Sequence, residues 1–186
     1  MGSSLKLKAI KDLINQEQPD ILLIQETKTT EQDFLLQTQR FKNYTGISKG
    51  SDGASGGIGT LWNKNKWEII NSQLCNWWIR TDLKNKNTQE VYFIYNIYAP
   101  NHYRDKTSCW NSLEADLSSI HSSWIILGGD MNLIRQVEEK YGGNFHADPS
   151  RDKLETIIQL FNLIDTPLSN GKYTWTNKRA GSHNIK

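Results

Sequence analysis

Apolar residues recur at helical spacing in four segments of the chain. In LKLKAIKDLINQEQ (residues 5–18), Leu7, Ile10, Leu13 and Ile14 share one face, with Ser3 or Ser4 available as a cap. Pro19 stops that helix. In TTEQDFLLQTQRF (29–41), Thr29 and Gln32 have capping-box spacing. TSCWNSLEADLSSI (107–120) puts Trp110, Leu113, Leu117 and Ile120 on one face. DPSRDKLETIIQLF (148–161) carries Leu154, Ile157, Ile158 and Phe161 as a stripe, with Asp148 as cap and Pro149 at the first position.

Between these segments the pattern shifts to short apolar runs and alternation. Strands are predicted at 20–25, 44–47, 58–62, 67–70, 74–81, 90–98 and 124–127, and two short ones in LID (163–165) and YTWTN (173–177). The run 124–127 reads as a strand buried on both faces that ends before Gly128. SDGASGG (51–57) reads as a loop and KNKN (84–87) as a hairpin turn. Helices near both ends with antiparallel hairpins between them suit an α/β fold of two face-to-face sheets with helices outside. The sequence predicts a single domain over 1–186, with no internal repeat and no linker.

Composition narrows this little. Seven Trp and seven Tyr supply an ample core. No apolar run approaches the ~20 residues of a membrane helix, and MGSSLKLKAI has no secretory h-region. Cys75 and Cys109 lack metal-ligand spacing and read as packing residues in a reducing compartment. A net charge of +2 is compatible with a nucleic-acid partner without arguing for one. The basic pairs Lys64/Lys66, Lys84/Lys86, Arg104/Lys106 and Lys178/Arg179 fall in predicted turns, where solvated side chains are the default.

Candidate chemistry sits at three strand ends. Residues 21–24 lead to Gln25 and Glu26, residues 91–97 to YAPN (98–101), and residues 124–127 to GGDMN (128–132). Neighbouring strands would gather Glu26, Tyr98, Asn101, Asp130 and Asn132 at one rim. The set is oxygen and nitrogen without Cys or paired His. Hard carboxylate oxygens suit Mg²⁺, which keeps waters and binds few protein groups. Each residue also has a plainer reading. Glu26 could favour a helix dipole, Tyr98 could be a core-edge tyrosine, Asn101 a turn residue, and Asp130 and Asn132 an Asx motif. The ordered combination favours chemistry.

The series LLIQETK, GGIGTLW, IYAPN, GGDMN and YTWTN resembles the endonuclease/exonuclease/phosphatase superfamily. More narrowly, it is similar to the endonuclease domain of plant-type non-LTR (LINE-like) retrotransposons, itself similar to apurinic/apyrimidinic endonucleases. The resemblance implies a four-layered α/β sandwich and phosphodiester hydrolysis of DNA with Mg²⁺ or Mn²⁺ and no small-molecule cofactor. It implies Glu26 as the carboxylate metal ligand, Tyr98 beside the scissile phosphate, Asp130 as the group that orients or deprotonates the attacking water, and Asn132 on a phosphate oxygen. Asn101 would line the DNA-facing loop, and Arg104 is its companion for substrate binding. A nuclear location follows from that job.

Family members begin with a strand carrying Asn in a WNVRG-like motif and end on an SDH segment that supplies Asp and His. This chain opens at MGSSLKLK and closes on KRAGSHNIK, with no SDH. His183 lies in a polar tail, and His102, His121 and His146 have no triad context. The expectation is a partial domain that is silent or nearly so, since losing one such electrostatic partner costs ~10²–10³ in rate. Uncovered sheet edges would also invite self-association. Alternative readings are a relic or domesticated binding module without chemistry, and a repair nuclease or phosphoinositide phosphatase of the same superfamily.

Overall fold

Strand β1 (Ile21–Gln25) shows how the first sheet is buried. Its side chains alternate between two cores. Leu22 and Ile24 pack with Ile14, Phe34, Phe41, Tyr44 and Leu61, a cluster shared with helices α1 (Ser4–Glu17) and α2 (Glu31–Thr38). Ile21 and Leu23 face the other way, onto Trp62, Trp67, Leu83 and Ile94. An uninterrupted apolar run results because both faces of this strand are covered.

The computed structural model describes residues 4–51, 56–121, 124–166 and 171–186. The chain forms two compact units, Met1–Ala99 with His121–Met131, and Pro100–Ile120 with Asn132–Lys186. The first unit holds both sheets. One has the order β1-β3-β2, with β2 Tyr44–Lys49 and β3 Ile58–Asn63, all antiparallel. The other has the order β4-β5-β6-β7, with β4 Trp67–Leu74, β5 Trp78–Asn85, β6 Val91–Tyr98 and β7 Ile125–Asp130. Its pairs are antiparallel except β6–β7, which is parallel and closes on Tyr98 opposite Asp130. The fold class expected from the sequence, α/β with two sheets and helices, is the one observed. The second unit contains α3 (Tyr103–Ser118) and α4 (Arg151–Leu160), which pack on each other. Among the described residues no helix is long and apolar enough to cross a membrane.

Several boundaries differ from the sequence reading. Thr30, not Thr29, caps α2, its side chain accepting from the Asp33 amide. Ser150, not Asp148, stands at the cap of α4, and Asp148 instead accepts from the Ser150 amide at 2.8 Å. Helix α3 starts a turn earlier, at Tyr103. β4 runs on to Leu74 through an irregularity at Ile69/Asn71, so β5 starts only at Trp78. β7 continues through both glycines to Asp130, because backbone pairing with β6 needs no side chain. It is not buried on both faces: Trp124 is 47% and Ile126 45% exposed. LID and YTWTN form no strands, and Ile164 is 91% and Trp175 60% exposed. Isolated bonds such as Asn177 N to Ile185 O replace a ladder there. Leu13 faces solvent while Leu7, Ile10 and Ile14 pack. Ser3 and residues 52–55 of the predicted loop lie outside the described residues.

Candidate active site

Glu26 follows the last residue of β1 and adopts φ +51°, with Lys28 at +52°. That left-handed backbone is unfavourable for a glutamate and is held by its surroundings. Thr27 N donates to Gly57 O and Lys28 N to Gly56 O, each at 3.2 Å. The approach requires glycine at 57, where φ is +85° and a Cβ would lie 2.2 Å from Thr27 Oγ1.

Glu26 then meets Tyr98. The tyrosine hydroxyl donates to Glu26 Oε1 at 2.9 Å, and Lys28 Nζ lies 3.5 Å from Oε2. The hydroxyl bond, ahead of the lysine charge, holds the Glu26 carboxyl below its ordinary range. Burial pushes the Tyr98 phenol up to about 12, helped by the Glu26 bond and by the Glu26 and Asp130 charges. Asp130 ends β7 directly opposite Tyr98, and its backbone oxygen accepts from Ala99 N at 2.9 Å. Gly129 makes this junction, with φ +133° and no room for a Cβ, which would sit 2.0 Å from Ile97 O. Glu26, Tyr98 and Asp130 thus come together at one end of the first unit.

Asn132, Asn101 and Arg104 belong to the second unit. Asn132 has φ +47°, and its backbone oxygen accepts from Lys106 Nζ. Lys106, expected as a solvated turn residue, is instead 2% exposed. It lies in α3 at helical spacing from Trp110 and Leu113, so the buried face includes it. Its ammonium pairs with Asp148. Asp148 Oδ1 also accepts from Ser150 Oγ at 2.6 Å, and Trp110 Nε1 donates to that same hydroxyl at 3.4 Å. Burial works to raise the Asp148 pKa, but the Lys106 and Ser150 hydrogen bonds outweigh it and hold the carboxyl low. Asn101 and Arg104 are exposed. The Arg104 guanidinium lies over the Tyr103 ring, 5.8 Å from its centroid.

Sequence reasoning missed Lys106, and it also missed Gln25 and Asn96. A lone amide inside VYFIYNIY was the available signal for Asn96. Gln25 Nε2 donates to Asn96 Oδ1 at 2.6 Å across the two sheets.

The donors at Glu26, Tyr98 and Asp130 are all oxygen. Among the described residues no group of three or more His, Cys, Asp or Glu could cage a metal. Glu26, with its side chain about half exposed, fits a hard cation that takes one carboxylate and keeps several waters.

The model of the Endonuclease/Exonuclease/phosphatase family matches residues 1–181. No curated protein matches the chain significantly in sequence. Among solved structures, an AP endonuclease from Archaeoglobus fulgidus superposes with TM-score 0.67 at 21% identity, over 83% of this chain and 65% of that one. An AP endonuclease from Leishmania major gives 0.67 at 15%, over 83% and 61%. A 3′ phosphatase from Neisseria bound to a product DNA hairpin gives 0.67 at 12%, over 84% and 66%. The chain therefore spans just under two thirds of the length of these structures, which it resembles in fold.

Proposed function

The chain belongs to the endonuclease/exonuclease/phosphatase family, and from that premise we propose that it carries a metal-dependent DNA endonuclease site that nicks DNA for a non-LTR retroelement. The observation that carries this reading is the Glu26–Tyr98–Asp130 cluster at the ends of three strands: Glu26 accepts from the Tyr98 hydroxyl, and Asp130 stands opposite Tyr98 in the ladder with its charge acting on the same phenol. DNA as substrate is supported by the likeness to the Neisseria phosphatase bound to a DNA hairpin. The retroelement reading rests on the ordered motifs, notably GGIGTLWNKNKW, and on the short connection from IYAPN to α3. That job belongs in the nucleus.

Glu26 would hold Mg²⁺ or Mn²⁺. The cation, when bound, neutralises charge developing on the phosphoryl group. Tyr98 keeps its proton at neutral pH and can donate toward a phosphate oxygen as negative charge builds there. Asp130, exposed at its strand end, can take the proton of an attacking water. Asn132, two residues beyond Asp130 in the chain, offers an amide donor to phosphate. Asn101 and Arg104 are exposed and suited to the DNA backbone.

The test is nicking of supercoiled plasmid with Mg²⁺. Conversion to open circle that Asp130→Ala and Glu26→Gln both abolish supports the assignment. DNA binding without nicking under any divalent cation would replace it with a binding module.

A further inference from the structure

We propose that Asn96 and Gln25 form a cross-sheet clamp that places Glu26 against Tyr98, which makes both of them positioning residues of the site. The inference deepens the nuclease reading and rests on it for its catalytic consequence. Asn96 is fully buried in the middle of β6, where an amide is costly unless every polar atom is satisfied. Its Nδ2 donates to Gly59 O at 2.8 Å and lies 3.3 Å from Thr60 Oγ1 and 3.5 Å from Ile24 O. Its Oδ1 accepts from Gln25 Nε2 at 2.6 Å. One side chain of the second sheet therefore grips both β1 and β3 of the first, at the register pair Ile24–Gly59.

The location of this grip gives it a role beyond core satisfaction. Asn96 and Tyr98 are two residues apart on β6 and project from the same face. Gln25 and Glu26 are adjacent. The half-buried bond Gln25–Asn96 and the exposed bond Tyr98–Glu26 are thus successive rungs between the same two segments. Glu26 leaves strand geometry at φ +51°, so strand pairing does not fix its carboxylate. The residue just before it, Gln25, is fixed twice, by its ladder position opposite Ile58 and by its side chain on Asn96. A clamp of this kind turns a mobile surface carboxylate into one held at defined distance from Tyr98, where small displacements are costly for catalysis.

The experiment uses Gln25→Met in the full chain, which keeps side-chain length and removes the Nε2 donor. Because Gln25 is only half-buried, the variant is expected to fold; Gln25→Ala serves if it does not. Asn96→Leu removes the other partner. The readout is the hydroxyl proton of Tyr98 by NMR at neutral pH, assigned by its loss in Tyr98→Phe. The clamp requires its exchange with water to accelerate at least tenfold in a folded Gln25 variant. An unchanged exchange rate in that variant overturns the proposal and leaves Asn96 with core satisfaction alone. On plasmid, kcat for nicking is expected to fall about tenfold with KM unchanged. If the wild-type chain does not nick but the hydroxyl exchange responds, the clamp stands and the nuclease reading fails.

Discussion

Tyr98 donates its phenolic proton to Oε1 of Glu26 at 2.9 Å, joining the end of β6 to the residue just past β1. The bond acts on both groups in opposite directions, lowering the acid strength of the phenol and raising that of the carboxyl.

Tyr98→Phe is therefore expected to let the Glu26 pKa climb back toward its ordinary 4.5, read by carboxyl ¹³C NMR. The sign for stability follows from linkage. Glu26 has a depressed folded pKa, so its contribution is present above pH 4.5 and is lost as pH falls through the lower folded value. Tyr98 has a raised folded pKa, so its contribution is present below pH 10 and lost as pH rises through about 12. The stability gap between wild type and Tyr98→Phe should accordingly be widest above pH 4.5 and narrow as pH falls through the lower folded value. A Glu26 titration unmoved by the substitution would contradict the bond.

Asp130→Asn removes a negative charge from an exposed strand end while keeping the backbone bond from Ala99. Nicking should drop by roughly 10²–10⁴, the scale of a lost general base. The melting temperature should barely move, since exposed substitutions seldom exceed about 0.5 kcal/mol. A large loss of stability would make Asp130 a structural residue instead.

Gly129→Ala should destabilise the first unit by roughly 3 kcal/mol, from a forced φ of +133° and a Cβ driven into the Ile97 carbonyl. Urea unfolding followed by Trp fluorescence measures it. The β6–β7 pairing that presents Asp130 would suffer first, so activity should fall even where the fold survives.

The legible parts of this protein are those written locally. Ile21–Gln25 and Ile58–Asn63 announce themselves as apolar runs, and Glu26, Tyr98 and Asp130 as polar residues at the ends of such runs. The turn between β4 and β5 did not, because its one turn-forming residue, Asn76, is flanked by the strand formers Cys75, Trp77 and Trp78. There the chain turns on a Cys75 N to Trp78 O bond. Gly128 and Gly129 read as punctuation, yet parallel pairing with β6 carries the strand through them. YTWTN has strand composition but no ladder to join. Gln25, Asn96 and Lys106 were opaque for another reason. Their partners lie 71 residues away for the amide pair and 42 for Lys106 and Asp148, so their burial depends on tertiary structure.

Lys106 gives the sharpest case, and a test that separates charge from packing. Its ammonium is almost wholly buried against the Asp148 carboxylate and the Asn132 carbonyl. Lys106→Met keeps the apolar stem but strands the partly buried Asp148 carboxylate, at a cost of about 1–3 kcal/mol. Lys106→Arg keeps the charge and should recover much of that loss. Lys106→Met combined with Asp148→Leu removes both charges. Since an apolar replacement of a buried ion pair is often neutral, the double variant should be more stable than Lys106→Met alone. Neither Met variant restores the donor that holds the Asn132 carbonyl, where the backbone sits at φ +47°. Nicking should therefore stay low in the double variant although its unfolding midpoint recovers. Activity that returned together with stability would show that Lys106 supports the second unit without acting through Asn132.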